Sequence, residues 1–247
     1  MDNTSIYRER WCAEGYDDDR FSGSFGRYLE EREVELYCAL IDDHDGSVLD
    51  VGAGTGKLSL PLIRAARTVV STDASGEMLG IAVGKAATEA LPMRPAVSDI
   101  HDLCFADDSF DCVLCSRVLM HLKDWRKAVS ELCRVSGGVV VLDFPPRLSF
   151  AGFDGPFKWV RGLFSPRTRG YRTFGVQSVL REFERNGFRI EIVRREFFLP
   201  IAVHRRLNRP QLSLAIERLC TRLGLVSQLG APAIVKAVKI AERSVPD

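Results

Sequence analysis

Three aspartates in the first hundred residues stand at or near the ends of short apolar runs: Asp50 in "SVLDV", Asp73 in "TVVSTD" and Asp99 in "RPAVSD". The first run breaks into alternating glycines, Gly52, Gly54 and Gly56, within "VLDVGAGTGKLS" at 48–59. Glycine adopts left-handed backbone without steric penalty and lets the main chain approach a ligand closely, so such a loop can wrap a nucleotide-like cofactor. A carboxylate closing the second run can accept both hydroxyls of a ribose, and one closing the third lies where an adenine amino group would be. Two cofactor classes fit poorly. A phosphate-binding P-loop needs Gly-Lys-Ser/Thr, but Lys57 is followed by Leu58. The dinucleotide fingerprint needs a small residue at its sixth position, where the helix meets the strand, and that position is Lys57.

Elements that alternate must hold these residues. "SVLDV", "TVVSTD", "RPAVSD", "SFDCVLCS" and "GGVVVLDF" read as strands, and "KLSLPLIRAA", "SGEMLGIAVGKAATEA" and "WRKAVSELCRV" as the helices between them. Short apolar strands alternating with helices predict a parallel sheet covered on both faces. Upstream, "GRYLEEREVELYCALI" puts Leu29, Val34, Leu36, Tyr37, Leu40 and Ile41 on one helical stripe. After Phe144 the rhythm breaks. "DFPP" at 143–146 reads as a turn, and residues 144–174 mix aromatics with arginines as a lid would. "VQSVLREFERNG" follows as a helix stopped at Gly187, then "FRIEIVRREFFLP" as a half-buried strand, "LSLAIERLCTRLGL" as a helix and "APAIVKAVKI" as a last strand.

From about residue 25 to 146 the chain resembles the class I S-adenosylmethionine-dependent methyltransferases. The resemblance rests on "VLDVGAGTGKLS", "STDASGEML", "SDIHDLCFADDSFDCVLCSRVLMHLKDW" and "ELCRVSGGVVVLDF", in that order and spacing. It implies a doubly wound, mostly parallel seven-stranded α/β sheet, the Rossmann-like methyltransferase fold, with its last strand antiparallel and S-adenosylmethionine as cofactor. By the same resemblance Gly52, Ala53, Gly54 and Gly56 line the methionine and ribose, Asp50 helps hold the ammonium group, and Asp73 with Ala74 binds the ribose. Met78 packs on the adenine, Asp99 and Ile100 hold its edge and ring, and Ser116 lies where the methyl group is presented.

For the acceptor, the Asn/Asp-Pro-Pro-Tyr signature of nucleobase or glutamine methylation is replaced by "CSRVLM", and no Pro-Cys nucleophile occurs. His121, after the fourth strand, can serve as a general base for a phenol or enol, or as a structural hydrogen-bonding residue. The lid alternates Phe150, Phe153, Phe157, Trp159 and Phe164 with Arg147, Lys158, Arg161, Arg167 and Arg169, a layout loosely similar to quinone-pathway O-methyltransferases. A small apolar or aromatic acceptor is therefore expected, with peripheral contact to an anionic membrane as one form of the reading. An RNA or protein methyltransferase docking through a basic surface and a dinucleotide-dependent reductase are the alternatives; a nucleic-acid partner is not favoured.

Composition frames these expectations. The 247 residues suit one domain: an N-terminal helical cap (1–45), a cofactor-binding half (46–146) and a lid, substrate side and last strands (147–247). Residues 1–146 carry 15 basic and 25 acidic residues, and 147–247 carry 19 and 8. That asymmetry points either to an anionic partner or to halves that neutralise each other. Cys112 and Cys115 fall three apart on a strand, on opposite faces, so the seven cysteines suggest buried thiols rather than a metal site. The N-terminus lacks a secretory pattern, so a cytoplasmic location is the expectation.

Overall fold

The computed structural model describes residues 23–44, 46–149, 172–200, 203–204, 207 and 209–240. The aromatic and basic residues expected between Phe150 and Arg169 lie outside them. In chain order the elements are α1 (Gly23–Ile41), β1 (Val48–Val51), α2 (Ser59–Arg64), β2 (Val69–Asp73), α3 (Gly76–Thr88), β3 (Arg94–Val97) and β4 (Phe110–Cys115). A one-turn 3-10 helix (Leu119–His121) leads to α4 (Trp125–Val135) and β5 (Ser136–Phe144). Then come α5 (Val176–Arg185), β6 (Phe188–Phe197), α6 (Pro210–Arg222), α7 (Leu225–Leu229) and β7 (Ala231–Lys239).

The sheet runs β3-β2-β1-β4-β5-β7-β6. β1 to β5 are parallel, and β7 is antiparallel to both β5 and β6. Because both faces are covered, β1 buries all four of its residues and two apolar layers form. Leu49, Val113, Cys115, Leu132 and Phe144 belong to one, and Tyr37, Ile41, Val48, Cys112 and Ile234 to the other. Cys112 and Cys115 thus fall on opposite faces, as the strand period requires. α4 shows the matching helical period, burying Trp125, Ala128, Val129, Leu132 and Cys133.

Strand order reverses between β1 and β4, since β2 and β3 lie on one side and β5 on the other. In open α/β sheets that point leaves a crevice at the carboxyl ends of the strands. The loops after β1 and β4 border it.

Two sequence expectations resolve here. "DFPP" is not a turn: β5 runs through Phe144, and Pro146 bridges Phe174 in parallel. Part of the charge asymmetry is internal, for buried Lys236 of β7 pairs with Asp43 at 3.2 Å and Glu191 at 3.0 Å, and Lys239 pairs with Asp108. Among the described residues, no helix is long and apolar enough to cross a membrane.

Candidate active site

The glycine loop follows β1 with Gly52, Gly54 and Gly56 at φ +74°, +55° and +85°. These are left-handed values that other residues adopt at a cost of about 1–2 kcal/mol. The three glycines are needed for different reasons. A Cβ on Gly52 would lie 2.2 Å from Val118 of the β4 loop, and one on Gly56 would crowd Ala82 and Leu60 at 3.1 Å. At Gly54 it would meet nothing within 4 Å. Among the described residues, then, the space beside Gly54 is open while its N–H is held by Asp73.

Asp73 ties this loop to the next. Its Oδ2 accepts the Gly54 N–H at 2.9 Å and its Oδ1 accepts the Ser75 N–H at 2.8 Å. Burial raises the Asp73 carboxyl above its ordinary range, against the pull of those N–H groups. Ala74 follows it, half-buried. Ser75 caps α3 by accepting the Met78 N–H at 3.2 Å, which fixes the start of the helix and seats Met78 in buried surroundings. Ala53 and Gly52 donate to the Thr72 carbonyl, binding the loop to the end of β2.

Asp50 sits differently. It is 2% exposed, and its Oδ2 accepts the Ser59 hydroxyl at 2.6 Å, with Ser71 donating to Ser59 in turn at 2.7 Å. Burial pushes its carboxyl up to about 6, although the Ser59 bond pulls the other way. It braces the loop through the first turn of α2. Asp99 is its opposite, with a side chain 59% exposed that accepts from the His101 N–H and ring Nδ1, while neighbouring Ile100 is buried.

Across the switch point, the β4 loop is held by a residue that sequence reasoning missed. Glu33 of α1, 9% exposed, accepts the Ser116 hydroxyl at 2.7 Å and lies 2.7 Å from the Lys57 Nζ. It also takes a forked pair from Arg117, whose Nε lies 3.0 and 2.9 Å from its two oxygens. Burial alone would raise the Glu33 carboxyl, but Arg117 and Lys57 outweigh it and hold it well below the usual carboxylate range. Arg117 is itself left-handed at φ +59°, and its N–H donates to Asp143 Oδ1 at 2.5 Å. Such backbone persists where several partners over-determine it. Burial and then the Glu33 charge raise the Asp143 carboxyl. One sequence signal was available: Glu33 precedes Leu36 and Tyr37 by three and four positions, so a charge occupied the buried stripe. His121 ends the one-turn helix, half-buried, with its N–H on the Val118 carbonyl at 2.9 Å.

The structure thus brings Gly52, Ala53, Gly54, Asp73 and Ala74 into one cradle. Ser116 enters the Glu33 cluster beside it, Asp50 lies beneath, and Met78, Asp99 and Ile100 follow β2 and β3.

Known proteins share this frame. A family profile described as a methyltransferase domain matches residues 49–142. Demethylmenaquinone methyltransferase of Thermus thermophilus is 38% identical over 128 residues, covering 50% of this chain and 58% of that one. Phosphatidylethanolamine N-methyltransferase of Cereibacter sphaeroides is 32% identical over 148 residues, 58% of this chain and 68% of its own length. The chain belongs to the S-adenosylmethionine-dependent methyltransferases. Among solved members of the fold, magnesium protoporphyrin IX methyltransferase of Synechocystis with bound SAH superposes at a TM-score of 0.68, with 20% identity over 96% of this chain and 99% of that one. The chain spans between about a third and three fifths of the length of the first curated relatives it matches, from 35% to 58%. The matched core ends at β5.

Proposed function

We propose that the protein transfers a methyl group from S-adenosylmethionine to a small apolar or aromatic acceptor, with oxygen the favoured acceptor atom. The observation that carries this reading is the cradle at the switch point: open space beside Gly54 among the described residues, its N–H fixed by the carboxylate that closes β2. That geometry fits the cofactor, which supplies an electrophilic methyl on a sulfonium. Gly52, Ala53, Gly54 and Gly56 give main chain to its amino-acid and ribose portion, with Asp50 stiffening the loop from beneath. Asp73 keeps lone pairs beyond its two backbone bonds and offers them to the ribose hydroxyls, next to Ala74. Met78, Asp99 and Ile100 form the adenine side. Ser116 marks the place where the methyl is presented, oriented by Glu33.

Methyl transfer is an in-line displacement, so the protein must align the acceptor and take its proton. His121 is the candidate base. Its loop starts from Ser116 and passes Val118, the residue against Gly52, so it borders cradle and acceptor alike. Trp125 and Phe174, with ring centroids 5.5 Å apart, border the neighbouring cleft and suit an apolar body there.

Calorimetric titration of the full chain with S-adenosylhomocysteine and with NAD(P) is the test. Tight binding of the former alone is expected, with metabolites gaining 14 daltons in extracts supplied with S-adenosylmethionine. Preferential NAD(P) binding would overturn the proposal.

A further inference from the structure

We infer that the cleft between the N-termini of α4 and α5 binds a phosphate group carried by the acceptor; the link to the acceptor rests on the methyl-transfer reading above, and the phosphate site itself does not. The cleft, of about 360 Å³, is lined by Trp125, Arg126, Arg147, Arg172, Phe174 and Ser178. Its arginines come from three stretches of chain: Arg126 from the first turn of α4, Arg147 from just after β5, and Arg172 from just before α5. Their backbones are fixed. Arg147 donates its N–H to the Phe174 carbonyl at 2.7 Å, and Arg172 donates its own to the Met120 carbonyl at 3.0 Å.

The three guanidinium groups are not equally engaged. Arg126 lies 4.6 Å over the Trp125 ring and 3.5 Å from Glu182, which also pairs with Arg185. Arg147 and Arg172 are exposed, and no acid pairs with either among the described residues. Neither helix N-terminus has a side-chain cap, so both add partial positive charge to the same space. Arg147 and Arg172 thus bring two guanidinium groups to one cleft with no acid paired to either among the described residues, which is the condition of an anion-binding site rather than of a finished surface.

Phosphate is the anion that suits them. A carboxylate is planar and is satisfied by one guanidinium fork, whereas two separate forks match a tetrahedral group with oxygens in several directions. The apolar floor of Trp125 and Phe174 fits a ligand with an anionic head and an apolar body. Location links the cleft to the chemistry, because the Met120 carbonyl that holds Arg172 belongs to the one-turn helix ending at His121.

The experiment compares wild type with the Arg147→Gln/Arg172→Gln double variant, both as the full chain. Inorganic phosphate is titrated calorimetrically, and sedimentation measures retention on vesicles of phosphatidylcholine with and without phosphatidylglycerol. Wild type is expected to bind phosphate, and the variant to bind it at least tenfold more weakly with unchanged melting temperature. If phosphatidylglycerol vesicles retain wild type and free phosphate releases it, the source is a lipid headgroup. Phosphate binding without vesicle retention makes it a soluble phosphorylated molecule; both results support the cleft. Absence of phosphate binding up to tens of millimolar together with no vesicle retention overturns it, as does equal binding by the variant. S-adenosylhomocysteine is titrated alongside: if it binds neither protein, the methyl-transfer reading falls while the phosphate result still decides the cleft.

Discussion

The two sides of the switch point are built by different means. On the β1–β2 side the cradle is main chain, with three left-handed glycines, backbone donors on Asp73 and a helix cap at Ser75. On the β4–β5 side the loop is shaped by side chains from distant segments, with Glu33 drawing in Lys57, Ser116 and Arg117 while Asp143 takes the Arg117 N–H. A main-chain cradle can receive the same ligand in many relatives and leaves little to vary. A side-chain clamp can be rewired by single substitutions.

Three changes would break or sharpen that contrast. The largest effect is expected from Glu33→Gln, which removes the carboxylate that Lys57 and Arg117 share in buried surroundings. Loss of one partner from such a cluster costs about 3–5 kcal/mol. Denaturant unfolding measures it, and a loss below about 1 kcal/mol would show that the clamp is not held by buried charge.

Next is Asp73→Ala, on the main-chain side. Each charge-assisted bond to ribose contributes about 1.5–3 kcal/mol, so affinity for S-adenosylhomocysteine should fall at least tenfold. Folding stability should fall less, by about 1 kcal/mol, as the Gly54 and Ser75 N–H groups turn to water. Affinity within about threefold of wild type would remove Asp73 from the cofactor.

The smallest effect is a pH dependence. The folded chain holds the Asp50 proton more tightly than the unfolded chain, because its carboxyl is pushed up to about 6. Its contribution to stability is therefore complete below about pH 4 and is lost as pH rises through about 6. Asp50→Asn should flatten that decline by on the order of 1–2 kcal/mol in unfolding curves taken across this window. It should not abolish the decline, since the raised Asp143 shares its direction. Parallel curves for variant and wild type would mean that Asp50 is not desolvated.

Legibility in the sequence follows the same division. The positions of all seven strands could be read, the buried parallel ones because strands covered on both faces are written as continuous apolar runs and β6 because it alternates. That the last strand is antiparallel came from the family resemblance alone. Gly54 and Asp73 were each legible as loop glycine and strand-end acid, but the hydrogen bond between them was not. Glu33 was not, since its partners lie 24, 83 and 84 positions away and no periodicity reports a contact at that range. The cleft was half legible. Arg147 stood out in an aromatic and basic stretch, but Arg126 belonged to a helix whose inward face was apolar, and the long-range contacts that bring Arg172 to them, the Pro146–Phe174 bridge and its own N–H on the Met120 carbonyl, leave no local signal.

One feature of the sheet bears on how the protein is made. β7 lies between β5 and β6, so the outer edge of β5 is closed by the strand that follows it by almost ninety residues. A nascent chain that has emerged only as far as α6 holds the entire glycine cradle and most of its core. It also presents β5, nine residues of nearly all buried side chains, as an open edge that another chain could pair with. On the ribosome, with synthesis at about 5–20 residues per second, that exposure lasts several seconds. Truncation between the end of β5 and Ala231 would make it permanent, giving a protein that can still assemble its cofactor loop yet aggregates through its unfinished sheet.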